Sequence, residues 1–109
     1  MSIAISPPEG SVAVIFVSQR EEHDGAGYAA AADTMLEAAA RQPGYLGMQS
    51  VRGADGMGIT ISYWASEADA KAWKRDPAHS RIREQGRGSW YSWYETIVTH
   101  VGRSYDWEK

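Results

Sequence analysis

The sequence predicts a single α+β domain of β-α-β-β-α-β order, the split βαβ or ferredoxin-like arrangement, in which a four-stranded antiparallel sheet carries helices on one face. Three observations predict it. Strand-like and helix-like segments follow one another in that order, no linker-like tract divides the 109 residues, and the first strand segment is apolar on both of its alternating sets.

Residues 1–11, with Pro7, Pro8 and Gly10, read as a flexible tail, and residues 12–109 as the domain. Val12 to Val17 is a continuous apolar, β-branched run, the pattern of a strand covered on both faces. A polar stretch from Ser18 to Gly27 follows. From Tyr28 to Arg41 the chain is rich in alanine and apolar at Tyr28, Ala32, Met35, Leu36 and Ala39, which predicts a helix ended by Pro43-Gly44. Tyr45 to Arg52 reads as a second strand. The glycines of Gly53-Ala54-Asp55-Gly56 suit a tight reversal into a return strand, Met57 to Trp64, with Ile59, Ile61 and Tyr63 on one side and Thr60, Ser62 and Trp64 on the other.

Ser66-Glu67-Ala68-Asp69 has the spacing of a capping box, so a helix is expected from Ala68 to Arg75. Asp76-Pro77 is a second start signal, and a helix is predicted from Pro77 to about Arg87, interrupted near Gly86 and Gly88. Trp93 to Tyr105, rich in Tyr, Ile, Val and Thr, reads as the closing strand.

Composition narrows the function. The chain is 43% hydrophobic and 23% charged, as folded globular proteins are, and it has no cysteine, so disulfides, thiolate nucleophiles and thiolate metal sites are excluded. Its net charge of −3 gives no basic surplus for phosphate backbones, which argues against nucleic-acid binding. No apolar run is long enough for a signal peptide or a membrane span, and a cytoplasmic location is expected.

Helices on one face of the sheet cover only one of the two apolar sets of the first strand. Val12, Val14 and Phe16 form one set, and Ala13, Ile15 and Val17 the other. Leaving the second in water would expose a patch larger than monomers usually carry, so a second copy is expected face to face, as a homodimer.

The segments Gln42-Pro43-Gly44-Tyr45-Leu46-Gly47, Ile61-Ser62-Tyr63-Trp64 with Ser66-Glu67, Ala72-Trp73, His79, and Gln85-Gly86-Arg87 with Trp90-Tyr91, in this order and spacing, resemble the antibiotic biosynthesis monooxygenase domain family. The resemblance spans about Val12 to Tyr105. It implies a dimeric α+β barrel of ferredoxin-like subunits. The family includes cofactor-free oxygenases of polycyclic aromatic molecules and heme-degrading oxygenases, so it does not by itself choose an activity. In the heme-degrading branch the pattern is an Asn on the first strand, a Trp on the second helix and a His on the next. Trp73 matches the tryptophan and Gln19 or Ser18 stands near the asparagine. Arg83 falls where the ligating histidine should be, with His79 one helical turn earlier as the alternative ligand, so the ligand pattern does not support heme, and no cofactor is expected.

His79, Arg83, Arg87 and Trp90 fall on one stripe if the last helix is continuous. Such a stripe either lines a pocket mouth, with His79 as proton acceptor and Arg83 or Arg87 holding a developing oxyanion, or is a solvated face with His79 tied to the Asp76 cap. Trp64, Trp73, Trp90, Trp93, Tyr63, Tyr91 and Tyr94 either sandwich a flat substrate or fill the core and the dimer seam. Read with the resemblance, the chain is expected to be a cofactor-independent monooxygenase of a small aromatic or conjugated substrate. His79 and Arg83 are its catalytic candidates, and Gln19, Tyr63, Trp64, Trp73, Arg87 and Trp90 its substrate-binding candidates. The alternative is a non-catalytic small-ligand or heme-binding protein of the same fold. His23 and His100 have no partners at metal-ligand spacing, so no metal site is assigned.

Overall fold

The computed structural model describes residues 6–21 and 25–109. The elements are β1 (Val12–Arg20), α1 (Gly25–Ala40), β2 (Tyr45–Arg52), β3 (Met57–Trp64), α2 (Glu67–Arg75), α3 (Pro77–Ser89) and β4 (Tyr91–His100). The strands form one antiparallel sheet in the order β2-β3-β1-β4, which is the expected ferredoxin-like topology.

Register divides the side chains into two faces. Val12 pairs with Trp64 and His100, Val14 with Ser62 and Val98, Phe16 with Thr60 and Thr96, and Ser18 with Gly58 and Tyr94. Trp64, Ser62, Thr60 and Gly58 pair in turn with Tyr45, Met48, Ser50 and Arg52 of β2. Because direct partners in a ladder share a face, these rows form the helix side. Its core joins Val12, Trp64, Ala38, Ala39, Ala70 and Trp73, with Val14, Met35, Tyr45 and Met48 packed around them. The small side chains of Ala38 and Ala39 leave most of the core volume to Trp64 and Trp73.

On the other face lie Val51, Met57, Ile59, Ile97 and Trp93, all exposed, with Ile15, Val17 and Ile61 half-buried between them. Val51 is 71% exposed. This is an apolar surface with no helix over it.

Several boundaries differ from the sequence reading. β1 runs on through Ser18, Gln19 and Arg20, because all three still pair with Tyr94, Trp93 and Tyr91 of β4. Ladder bonds hold these polar residues in a strand that hydropathy alone would end at Val17. α1 begins at Gly25, ahead of Tyr28. α3 continues through Gly86 and Gly88 to Ser89, since the buried Gly86 leaves room for the rings of Tyr91 and Trp90 and its carbonyl accepts the Trp90 N–H. β4 starts at Tyr91 and stops at His100; two more bonds, Val101 N–H to Ser11 O and Gly10 N–H to Val101 O, both at 2.8 Å, end the ladder where β1 begins.

Beyond it the two terminal segments run together, with Ser104 Oγ donating to Pro7 O and Ser6 Oγ to Asp106. Residues 1–5 of the expected tail and His23 lie outside the described residues. No helix among the described residues is long and apolar enough to cross a membrane.

Candidate functional site

One residue, Asp76, builds the sharp α2–α3 turn. Its N–H closes α2 on Trp73 O, while its Oδ1 accepts from the N–H groups of Ala78 and His79 at 3.0 and 3.1 Å and so opens α3. Proline at Pro77 suits this first helical turn. Gln42 Nε2 donates to the other carboxylate oxygen at 3.1 Å, tying the end of α1 to the same corner.

The turn folds the His79 ring back onto Trp73. Their centroids are 4.3 Å apart at 19°, and His79 Nδ1 lies 2.9 Å from Trp73 O. Trp73, 4% exposed, stacks in turn on Trp64 at 5.8 Å, and Tyr45 meets Trp64 edge-on at 5.7 Å. Trp64 Nε1 donates to the buried Ser62 hydroxyl at 3.0 Å, so the indole N–H is satisfied.

Burial lowers the His79 pKa below its ordinary value, and the Arg83 charge adds to that, against opposing contributions from the Trp73 carbonyl and Asp76. A carbonyl only accepts, so the bonded Nδ1 must carry the hydrogen. The neutral ring therefore keeps its lone pair on Nε2, the form a proton acceptor needs.

A second cluster closes the other end of the helix–sheet layer. Arg52 donates to Ser18 Oγ at 2.9 Å, to Tyr28 OH at 3.2 Å and to Gly56 O at 2.5 Å. Ser18 is fully buried, Trp90 is 1% exposed against the Tyr28 ring, and Arg20 lies over that ring at 4.3 Å. Gly58 leaves space for the guanidinium, because a Cβ there would come within 2.7 Å of it. Burial, together with Tyr28, raises the Tyr91 pKa.

Between the two clusters the helix side of the sheet is less covered. Its middle row is Ser50, Thr60, Phe16 and Thr96: the outer two are exposed, and Thr60 and Phe16, although on central strands, are only half-buried. Ser50 and Thr60 share a hydrogen bond of 2.7 Å. Phe16 lies 5.5 Å from the Tyr91 ring and 5.1 Å from the Tyr94 ring. This row places the Phe16 ring between hydroxyl side chains.

The structure thus brings Trp64, Trp73 and His79 into one stack, with Arg83 close enough to act on His79 electrostatically. Arg87 is directed elsewhere, to Tyr94 OH at 2.5 Å and Glu84 at 2.9 Å, and Trp90 belongs to the second cluster. Gln19 and Tyr63 stand on the opposite sheet face, where Gln19 donates to Asp55 O and Tyr63 OH to Gln49. His100 lies 3.8 Å from Glu67 on the surface. Sequence reasoning missed the roles of Arg52, Tyr28 and the Ser50–Thr60 pair. The signal was strand parity, which puts Ser50 and Arg52 on the Met48 side and Thr60 on the Trp64 side.

Among the described residues no three His, Cys, Asp or Glu side chains gather as a metal site. For heme, Arg83 stands at the ligand position implied by the resemblance, and a guanidinium has no lone pair to give iron.

Residues 11–85 match the family described as antibiotic biosynthesis monooxygenase, and the chain belongs to it. The chain is 44% identical over 98 residues to the uncharacterized protein YqjZ of Bacillus subtilis (strain 168), covering 90% of this chain and 85% of that one. Solved structures share the fold at low identity. SnoaB from Streptomyces nogalater, a cofactor-independent oxygenase, superposes with a TM-score of 0.73 at 15% identity, over 87% of this chain and 96% of its own. Protein SO0527 from Shewanella oneidensis does so with 0.76 at 9%, over 88% and 95%.

Proposed function

We propose that this chain is a cofactor-independent monooxygenase of a small aromatic or conjugated substrate and that it works as a homodimer. The observation that carries the reading is the half-buried, neutral His79, whose tautomer is set by Trp73 O and whose Nε2 is left as a base. In this chemistry an electron-rich substrate loses a proton and its carbanion or enolate reacts directly with dioxygen, so the protein must supply a base, a dry surface and donors to the developing oxyanion. The half-buried Phe16 offers an aromatic face for a flat ring, and Ser50, Thr60 and Thr96 in the same row offer hydroxyl donors. Burial chiefly favours the uncharged form of His79, and the Arg83 charge adds to it. Family membership and the cofactor-independent chemistry stated for SnoaB support the reading.

The dimer rests on the uncovered sheet face. Val51, Met57, Ile59, Ile97 and Trp93 are exposed on that face, and a second copy laid on it would bury them.

The experiment is dioxygen uptake by the purified protein across a panel of hydroxylated polycyclic aromatics, with chelator present. Uptake that needs protein and substrate, persists with chelator and falls in His79→Gln supports the proposal. Absence of uptake throughout, with substrates still quenching tryptophan fluorescence, would establish a binding protein instead.

A further inference from the structure

The charge of this chain is unevenly spread. Residues 71–87 hold six of the eleven Lys and Arg residues and two of the fourteen acidic ones, so an acidic chain carries one strongly basic segment. Both acids there are engaged: Asp76 as the double cap and Glu84 with Arg87. On the outer side of the α2–α3 corner, Lys71, Lys74, Arg75, Ser80 and Arg83 line a notch of about 490 Å³ with no acidic side chain in its wall.

Lys71 stands three and four residues before Lys74 and Arg75, spacings at which like charges on a helix repel. Lys74 and Arg75 complement the negative end of α2. That accounts for neither Lys71, a full turn earlier, nor Arg83, which reaches in from α3. Arg83 spends one donor on Lys74 O at 3.4 Å, and its Nε is buried with no acceptor. Beyond the donor spent on Lys74 O, the guanidinium keeps terminal N–H groups, and these are what a bound oxyanion would engage.

We propose that this notch is a binding site for a small, multiply charged oxyanion of the phosphate or polycarboxylate class. Arg83 and Ser80 supply directed donors, and Lys71, Lys74 and Arg75 supply charge. The site stands whether or not His79 acts as a base.

The test is a ¹⁵N-resolved NMR titration of the full chain with inorganic phosphate, and separately with citrate, against chloride at equal ionic strength. Saturable shifts confined to residues 71–75 and 80–83, absent with chloride, are expected; whichever anion saturates first identifies the class. Arg83→Gln should weaken binding about tenfold or more. Since Arg83 is partly buried, the exposed pair Lys71→Gln and Lys74→Gln serves as a second variant, with Arg103→Gln, outside the notch, as the unaffected control. Shifts that grow linearly, appear equally with chloride or survive in both notch variants overturn the proposal.

Discussion

The His79 imidazole lies 4.3 Å from the Trp73 indole at 19°, and its Nδ1 is 2.9 Å from the carbonyl of that same residue. Two bonds to one residue, a stack and a hydrogen bond, hold a titratable ring at the helix corner. Burial depresses its pKa below 6.5, its ordinary value. The unfolded chain therefore binds the proton more readily than the folded one. Linkage then requires stability to fall as the pH drops below about 6.5, to level off below the folded pKa, and to owe nothing to this group at higher pH. Urea denaturation at a series of pH values should show that slope in the wild type. In His79→Phe, which keeps a ring on Trp73 but cannot titrate, the slope should be shallower.

Asp76 acts on the same ring from the other side. Its carboxylate caps α3 through two N–H groups and its charge raises the His79 pKa. Asp76→Ala should cost about 0.5–2 kcal/mol in stability, the usual range for a lost cap. It should also move the His79 titration further down, measurable on the ring protons by NMR. An unchanged or raised His79 pKa would contradict the assignment.

At the far end of the layer, Gly58 and Arg52 are coupled by space. Gly58→Ala would place a methyl group against a guanidinium held by Ser18, Tyr28 and Gly56. Displacing it leaves the buried Ser18 hydroxyl short of its donor, at about 1–3 kcal/mol for an unsatisfied buried group. Arg52→Met should destabilise to a similar degree, and the double variant should cost less than the sum, because both remove one interaction.

The uncovered sheet face predicts association. Sedimentation equilibrium should return a dimer for the wild type, and Ile59→Lys with Ile97→Lys should return a folded monomer by circular dichroism. A wild-type chain that is monomeric when dilute would remove the dimer from the account.

Much of the fold was legible because strand and helix periods are local. Tyr45–Arg52 and Met57–Trp64 follow directly from alternation and the turn between them, and Gly56, at φ 88°, is the glycine that the turn requires. Boundaries set by pairing were not legible. Ser18, Gln19 and Arg20 look like loop until β4 is known to lie beside them. The site was legible only in part, for a similar reason. His79 could be tied to Asp76 by spacing, but its stack on Trp73 depends on the angle between two helices. Gln19, placed by its nearness to the asparagine position of the resemblance, and Tyr63, grouped with the other aromatic rings, are both sent by parity to the other face of the sheet.

The account depends most on His79 being an uncharged base near neutral pH. Long-range ¹H–¹⁵N correlation spectra of the histidine rings at pH 7 read this directly, with His79→Gln assigning the signal. The account predicts a neutral ring with hydrogen on Nδ1 and an unprotonated Nε2. A ring charged at that pH, or one carrying its hydrogen on Nε2, would contradict it.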